Sequence, residues 1–495
     1  MWLRRKEGAI LLINGNRMSG SKQQSFIKGS AILIASNMII KGINFLLLPL
    51  YTKYLTPEML GISDSISNFT AILFPLLVMG LDSAFSAFYF DKHDENHHHK
   101  VMNTIRITML IASLVPVLMA AASKPFALLL FGDSEYYMLV VVSLISVSFN
   151  LWHLPFSLLA RMRNRMALFA LVNTSASIAM IFLNVLFLTG MHLGAYSLIL
   201  STACVQLLQF VMYRVLMKER LDSKAYDRDL LKRMMTFSLP LIPNALATWV
   251  LALSDRYIIL HYCGTNEVGL YGIAARFAAA VSLVANGIYM AYTTYAYGKK
   301  GDADDRQNYS RILNAFVYAI MGICVTISLF AREVIDIMTD SSYADTAVLI
   351  APILFGQLLY GINTLVGYAI TFEKKSKYIL LITTSGAVMN VILNFAFVPN
   401  NGALAASYTT LASYILMVVL TYYYAQKTFP VEYQTMKLAL SIIVALGISC
   451  ISIRFALLPR VLIYVAMVAA YTYLFKDSAA DYLNQATKIV NKVWK

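Results

Sequence analysis

Charge is what this sequence has least of. Of its 495 residues only 13% are Asp, Glu, Lys or Arg, whereas 59% are hydrophobic and the mean hydropathy is +0.65. Soluble domains carry about 25% charge and roughly 45–50% apolar residues. That deficit excludes a water-soluble globule of ordinary surface and points to the bilayer as solvent, so length does not count domains here. Cysteine is equally scarce. Cys204, Cys263, Cys324 and Cys450 stand singly within or at the ends of apolar runs, without metal-site or redox spacing, and read as small reduced hydrophobes. Phosphate loops, HExxH motifs, paired carboxylates and nucleophile constellations are missing too, which leaves catalysis without an obvious seat. Nor is there a cleavable signal peptide: residues 9–13 form only a short apolar run with no small-residue cleavage site after it. Residues 1–17 resemble nothing structural, so Met18 competes with Met1 as the start.

What is present is long apolar runs. A helix needs about 20 apolar residues to cross ~30 Å of hydrocarbon. Such runs lie near 28–50, 62–88, 101–122, 136–159, 167–189, 194–215, 237–260, 268–296, 313–331, 346–370, 378–398, 403–424, 437–456 and 459–475. They are continuous rather than alternating, which favours helices over barrel strands. The expected fold class is therefore an all-α polytopic membrane protein of about 14 transmembrane helices.

Fourteen crossings put both termini on one side. That side then holds 31 of the 40 Lys/Arg, including Arg161, Arg163 and Arg165, and the opposite side five: Lys53, Lys124, Arg332, Arg454 and Arg460. The bias sets both termini in the cytoplasm. It also accounts for the net charge of +14 as a topology signal spread over many loops, not as a nucleic-acid patch. The longest outer loop, 332–345, has room for a small turn of structure and no domain. The inner loop 216–236 mixes both signs and divides the chain near its middle.

The halves also repeat. YLTPEMLGISDSISNF (54–69) and YCGTNEVGLYGIAARF (262–277) share Tyr, Gly and Phe at a shift of 208; TSASIAMIFLNVLF (174–187) and TSGAVMNVILNFAF (384–397) share Thr, Ser, Leu-Asn and Phe at a shift of 210. Two nearly equal shifts imply two pseudo-symmetric six-helix lobes of the same orientation plus two C-terminal helices, a transporter architecture with the path between lobes. The organisation read from this is a cytoplasmic tail (1–27), an N-lobe (28–217), a cytoplasmic linker (218–236), a C-lobe (237–424), helices 13–14 (437–475) and a cytoplasmic amphipathic tail (478–495).

Charges inside spans cost about 2.5–3.5 kcal/mol each and call for a reason. Lys41 lies twelve residues before Lys53, hence roughly 18 Å deeper, at mid-membrane. Asp255 and Arg256 interrupt LALSDRYIIL, and Arg276 lies at similar depth in the next span. The plainer readings are snorkelling to the inner interface for Asp82 and Arg106, an interfacial position for Asp64, and a structural salt bridge for Asp255 or Arg256. Together Lys41, Arg256 and Arg276 would put a cationic surface between the lobes, suited to a phosphate or pyrophosphate. Asp64, Asp82 and Asp255 are the acids within spans available for coupling or tethering. HHHK (97–100), with His93, reads as a solvated loop rather than a metal site. Pro49, Pro75, Pro116, Pro155, Pro240, Pro243 and Pro352 should kink or end helices.

The run FSLPLIPNALATWVLALSDRYIILHYCGTNEVGLYGIAARFA (237–278), with IIKGINFLLLPLYTKYLTPEMLGISDSISNF (39–69) and GLDSAFSAFYFD (80–91), resembles the Wzx-like polysaccharide-unit flippases of the multidrug/oligosaccharidyl-lipid/polysaccharide exporter superfamily. The resemblance covers most of the chain in helix count and order; its specific part is SDRY with the ExGxY that follows. It implies two six-helix lobes in a V, translocation of undecaprenyl-pyrophosphate-linked oligosaccharide across the bacterial inner membrane, and Lys41, Arg256 and Arg276 lining the cavity. It also implies a lipid-tail groove beside helices 13 and 14. Lys at 41 supplies a point charge in place of an arginine's fork. Expected partners are that glycan lipid, membrane lipids and the polysaccharide polymerase machinery, with no nucleic acid. No cofactor is expected beyond a coupling ion, H⁺ or Na⁺. A peptidoglycan-precursor flippase and a multidrug-type exporter of the same superfamily stay open. A polymerase or ligase would need a large outer loop, and none exists.

Overall fold

In the computed structural model the described residues are 42, 45, 47–90, 97–219, 222, 225–298, 306–373 and 375–474. Lys41, the tail at 1–27, His93 and the amphipathic tail at 478–495 lie outside them. The described residues are helical almost throughout, with no strand among them. In chain order they form α1 (Leu48–Tyr54), α2 (Pro57–Val78), α3 (Leu81–Phe88), α4 (His97–Ala112), α5 (Leu114–Ala121), α6 (Ser123–Phe131), α7 (Tyr137–Met162), α8 (Met166–Val185) and α9 (Tyr196–Met217). There follow α10 (Arg228–Ser238), α11 (Ile242–Cys263), α12 (Thr265–Gly298), α13 (Arg306–Leu329), α14 (Ala331–Met338), α15 (Ala347–Phe372), α16 (Ser376–Thr428), α17 (Thr435–Ser452) and α18 (Leu457–Leu474).

Among the described residues eleven helices are long and apolar enough to cross a membrane, or twelve with α10 and α11, bent by 51°, taken as one span. Fourteen separate spans are thus not reached among the described residues. The first expected span falls mostly outside them. Two others, 378–398 and 403–424, share α16, which breaks at Gly402 (φ 56°, ψ −144°) just after Pro399. A continuous 53-residue helix would run about 80 Å at 1.5 Å per residue, far more than a bilayer.

Local chemistry explains the other boundaries. Thr56 caps α2, its side chain accepting from the Met59 N–H at 3.3 Å, and Pro57 opens the helix where a missing N–H does no harm. Between α2 and α3 the chain passes through the left-handed region at Met79 (φ 52°) and Gly80 (φ 67°). Three buried apolar clusters hold the bundle. One gathers residues 251–453 together with Leu48, Tyr51, Leu55, Leu60 and Leu188. The other two draw their buried members from 62–234.

Several expectations change. HHHK is not a loop but the opening turn of α4: His97 is 5% exposed, its Nε2 lies 2.9 Å from the Phe88 carbonyl, and His98, exposed like His99, stacks on Tyr89 at 4.7 Å. The last carbonyls of α3 have no helical partners, and the imidazole ring takes one. Arg106 is packed inside the protein, 7% exposed, with its guanidinium 4.9 Å from the Phe156 ring. Half of the expected linker is helix. Leu230 and Met234 of α10 are buried in the core built by Phe85 and Tyr213, and the Asp227 and Asp222 N–H groups donate to Thr104 Oγ1 (3.1 Å) and Asn103 Oδ1 (3.0 Å).

Candidate functional site between the two halves

The two repeat-related helices α2 and α12 cross near Thr56 and Gly264. The crossing needs glycine: a Cβ on Gly61 would overlap the Thr265 carbonyl, and one on Gly269 would overlap the Pro57 carbonyl. Small residues let helix backbones approach closely, as in membrane helix pairs generally. Other bonds close the same end. Tyr343, fully buried, donates its hydroxyl to the Leu55 carbonyl at 2.9 Å, and Thr52 Oγ1 donates to the Met338 carbonyl at 3.3 Å.

One and two turns deeper along this crossing sit the basic residues. Arg276 Nη2 donates to Asp64 Oδ1 at 2.9 Å, from α12 to α2. Gly272 makes room for that carboxylate, because a Cβ there would overlap Asp64 Oδ2. Arg256 on α11 reaches α2 as well: its Nη1 donates to Asn68 Oδ1 at 3.1 Å, and its guanidinium lies 6.0 Å from the Tyr271 ring. Asp64 and Asn68 are four residues apart, so they share one face of α2. Arg256 Nε, Arg276 Nη1 and Asn68 Nδ2 are buried with no hydrogen-bond partner. Unmet buried donors each cost about 1–3 kcal/mol, so this seam is primed for an acceptor.

Asp255 points elsewhere. Only 2% exposed, it accepts from the Tyr271 hydroxyl and, at 3.4 Å, from Thr410 Oγ1; its Oδ1 accepts the Arg256 backbone N–H at 2.8 Å. Behind it runs a polar chain inside the C-terminal half. Asn390 Nδ2 donates to Thr410 Oγ1 at 3.1 Å, Asn394 Nδ2 to Asn390 Oδ1 at 3.0 Å, and Ser254 Oγ to Asn390 Oδ1 at 3.2 Å. Asn390 and Asn394 are both fully buried.

The structure therefore brings Arg256, Arg276 and Asp64 together and sets Asp255 behind them. Asp64 is the interhelical partner of Arg276. Asp82 stands apart and exposed in the first turn of α3, lining a cavity of about 220 Å³ with Pro75, Gly80, Ile242 and Leu246. Lys41 lies outside the described residues. Sequence reasoning missed Asn68, Tyr271, Tyr343, Thr410 and the asparagine pair. The signal for that pair was legible: Asn390 and Asn394 stand at i, i+4 in the apolar run VMNVILNF.

A groove of about 390 Å³ runs between α13, α17 and α18, lined by Tyr318, Met321, Thr326, Ala445, Tyr464 and Met467, among others. At the end of α18 Arg460 is 3% exposed, gripping both Glu333 oxygens of α14 and donating to the Leu329 carbonyl at 2.9 Å.

Comparison with known proteins places this architecture. The profile of a family described as polysaccharide biosynthesis protein matches residues 26–293, more than half of the chain, and the MatE profile matches 240–396. An uncharacterized membrane protein of Methanocaldococcus jannaschii is 19% identical over 463 residues, covering 86% of this chain and 89% of its own. Among solved structures, an inward closed conformation of the lipid II flippase MurJ superposes with a TM-score of 0.67 at 17% identity, over 91% of this chain and 99% of that one. An outward-facing multidrug resistance MATE family transporter gives a TM-score of 0.55 at 15% identity, over 81% and 95%. The chain belongs to the polysaccharide biosynthesis protein family and has the multi-pass membrane fold of the superfamily to which those flippases and exporters belong.

Proposed function

We propose that the chain is a flippase that carries undecaprenyl-pyrophosphate-linked oligosaccharide units across the inner membrane by alternating access, with both termini cytoplasmic. One observation carries this reading: two guanidinium groups, Arg256 and Arg276, meet the opposite half at the seam, each with a buried donor left over. A guanidinium fork matches phosphate oxygens, and in a water-poor seam an anion satisfies those donors best. Family membership and the cationic excess at the seam both support a lipid diphosphate over a cationic drug. Lys41, by its position in the sequence, is the third cation proposed for the headgroup. The groove beside α17 and α18 suits the polyprenyl tail, since its lining is mostly apolar and its outer helix faces lipid. Polymerase machinery is the natural recipient of the exported unit.

Closure near Thr56 and Gly264, on the side poor in Lys/Arg, makes this the outward-closed state. The coupling ion, H⁺ or Na⁺, is assigned to Asp255. A buried carboxylate is expensive unless protonated or paired, and its oxygen-rich neighbours Tyr271, Thr410 and Asn390 suit either cation. The deciding experiment is flipping of a fluorescent lipid-linked oligosaccharide in proteoliposomes, normalised to folded protein. Arg256→Ala should lose most of the rate. A rate equal to wild type would make SDRY scaffold and sink the headgroup assignment.

A further inference from the structure

We propose that the substrate diphosphate and the Asp64 carboxylate exchange on the Arg276 guanidinium, and that this exchange releases the outer seam. The inference rests on the assignment of Arg256 and Arg276 to the headgroup. It adds that the residues that bind the substrate are the same ones that hold the two halves shut.

The geometry is specific. Arg276 spends Nη2 on Asp64 Oδ1 at 2.9 Å and leaves Nη1 without a partner. Arg256 spends Nη1 on Asn68 Oδ1 at 3.1 Å and leaves Nε without one. Each guanidinium thus uses part of its fork as a latch across the seam and keeps part in reserve. The reserved donors, Arg276 Nη1 and Arg256 Nε, are buried, so a diphosphate engages them as the seam loosens.

Completing a bidentate contact then requires the latched donors as well. Asn68 is a neutral acceptor and yields to a charged one, since a guanidinium gains a bidentate fit and a full opposite charge from a phosphate and neither from an amide oxygen. Asp64 is charged, but one carboxylate meets a group carrying more negative charge and more acceptor oxygens. Once displaced, Asp64, which packs against the bare backbone of Gly272 in the latched state, is left beside that anion. A like-charged neighbour in a desolvated site is unfavourable, and hydration of Asp64 on separation of α2 from α12 relieves it. An empty carrier keeps its outer end closed, and a loaded one opens it. By linkage, whatever weakens the latch must tighten diphosphate binding by the same factor.

The test uses full-length protein in nanodiscs. The native cysteines are replaced by Ser, and spin labels are placed at Tyr54→Cys and Tyr262→Cys, two exposed positions at the outer end. The probe is undecaprenyl diphosphate, with uncharged undecaprenol as control, and its binding is measured separately. The diphosphate should lengthen the label distance in wild type, and undecaprenol should not. Asp64→Asn should already populate the long distance without lipid and bind the diphosphate tighter, on the order of 5- to 150-fold for a coupling of ordinary size. Arg276→Lys guards against misfolding of that variant. It keeps the charge and the closed seam but should need more diphosphate to open.

Diphosphate that binds wild type without moving the labels overturns the exchange and leaves the headgroup assignment standing. So does an Asp64→Asn protein that stays closed and binds no tighter, or an Arg276→Lys protein that opens at the wild-type concentration. Failure of wild type to bind the diphosphate at all removes the headgroup assignment, and the exchange with it.

Discussion

Gly61 and Gly269 occupy equivalent places in the two halves and face each other's helices: Gly61 packs on the Thr265 carbonyl and Gly269 on the Pro57 carbonyl. The 208-residue shift that relates the glycines also relates Pro57 to Thr265, so the contact is one interaction made twice about a pseudo-two-fold axis. Symmetry of this kind lets one close contact close the whole outer end. Its neighbours depart from the symmetry, because the shift pairs Asp64 with Gly272 and Asn68 with Arg276. An acid and an amide on one side therefore meet a gap and a base on the other, which turns a packing contact into an ion pair.

Enlarging either glycine should hold the outer end apart. Overpacking costs roughly 1–3 kcal/mol, or about 5- to 150-fold in the closed population. Gly61→Val and Gly269→Val should each lower flipping per folded molecule on that scale, whereas Gly287→Ala, with no neighbouring atom within 4 Å of its Cβ, should behave as wild type. Equal rates in all three variants would show that the crossing need not close during the cycle.

The Lys/Arg bias makes a prediction about sides. A cysteine introduced at 303 should resist a membrane-impermeant reagent applied from outside, and one at 340 should react. The opposite pattern would invert every inner and outer assignment made above.

For the cationic cluster, Arg256→Ala, Arg276→Ala and Lys41→Ala should each reduce flipping while leaving the amount of inserted protein unchanged. Arg256→Lys should recover only part, because an ammonium cannot reproduce the two-point contact. A scaffold role has another signature: activity and membrane abundance would then fall in proportion.

Asp255→Asn should bring the rate down to that of wild type with the driving gradient collapsed, and further collapse of the gradient should change nothing. Separate H⁺ and Na⁺ gradients across proteoliposomes identify the ion. Undiminished gradient dependence in the variant would move coupling away from Asp255.

The Glu333–Arg460 pair predicts an acid-sensitive fastening of the last helix. Burial raises the Glu333 carboxyl, but the Arg460 guanidinium outweighs it and holds the group below its ordinary value. A depressed carboxylate stabilises the fold above its unfolded value near 4.5, and that contribution is lost as pH falls through the folded one. Glu333→Gln should lower stability by about 3 kcal/mol at neutral pH by leaving Arg460 buried and unpaired. The deficit relative to wild type should shrink toward acidic pH, as read by thermal unfolding in detergent. A deficit independent of pH would show that Glu333 acts by packing alone.

The charges along the chain were enough to single out Arg256 and Arg276 in adjacent helices, because a charge in an apolar run stands out one residue at a time. Their partners were not legible. Asn68 and Tyr271 are ordinary polar side chains, and only a crossing of α2 with α11 and α12 tells which of many such groups a guanidinium can reach. Asp255 shows the limit most clearly. It is adjacent to Arg256 in sequence, yet a turn of about 100° per residue sends it into the C-terminal half toward Tyr271 and Thr410, while Arg256 goes to the seam. The histidine run misled for a related reason: its polarity suggested a loop, but it opens a helix, and a free carbonyl ending α3 draws His97 into the fold.

By itself the sequence determined that this is a helical membrane protein with charged residues set inside its apolar spans, since hydropathy and the placing of charges are properties of residues in order and follow from the bilayer's demands on every segment. Only the tertiary structure decided which end is closed, that Asp64 and Asn68 are what the arginines hold, and that Asp255 belongs to a separate buried network. These depend on the angle and depth at which two helices cross, set by glycine contacts between residues about 200 positions apart, and no local pattern encodes such a distance.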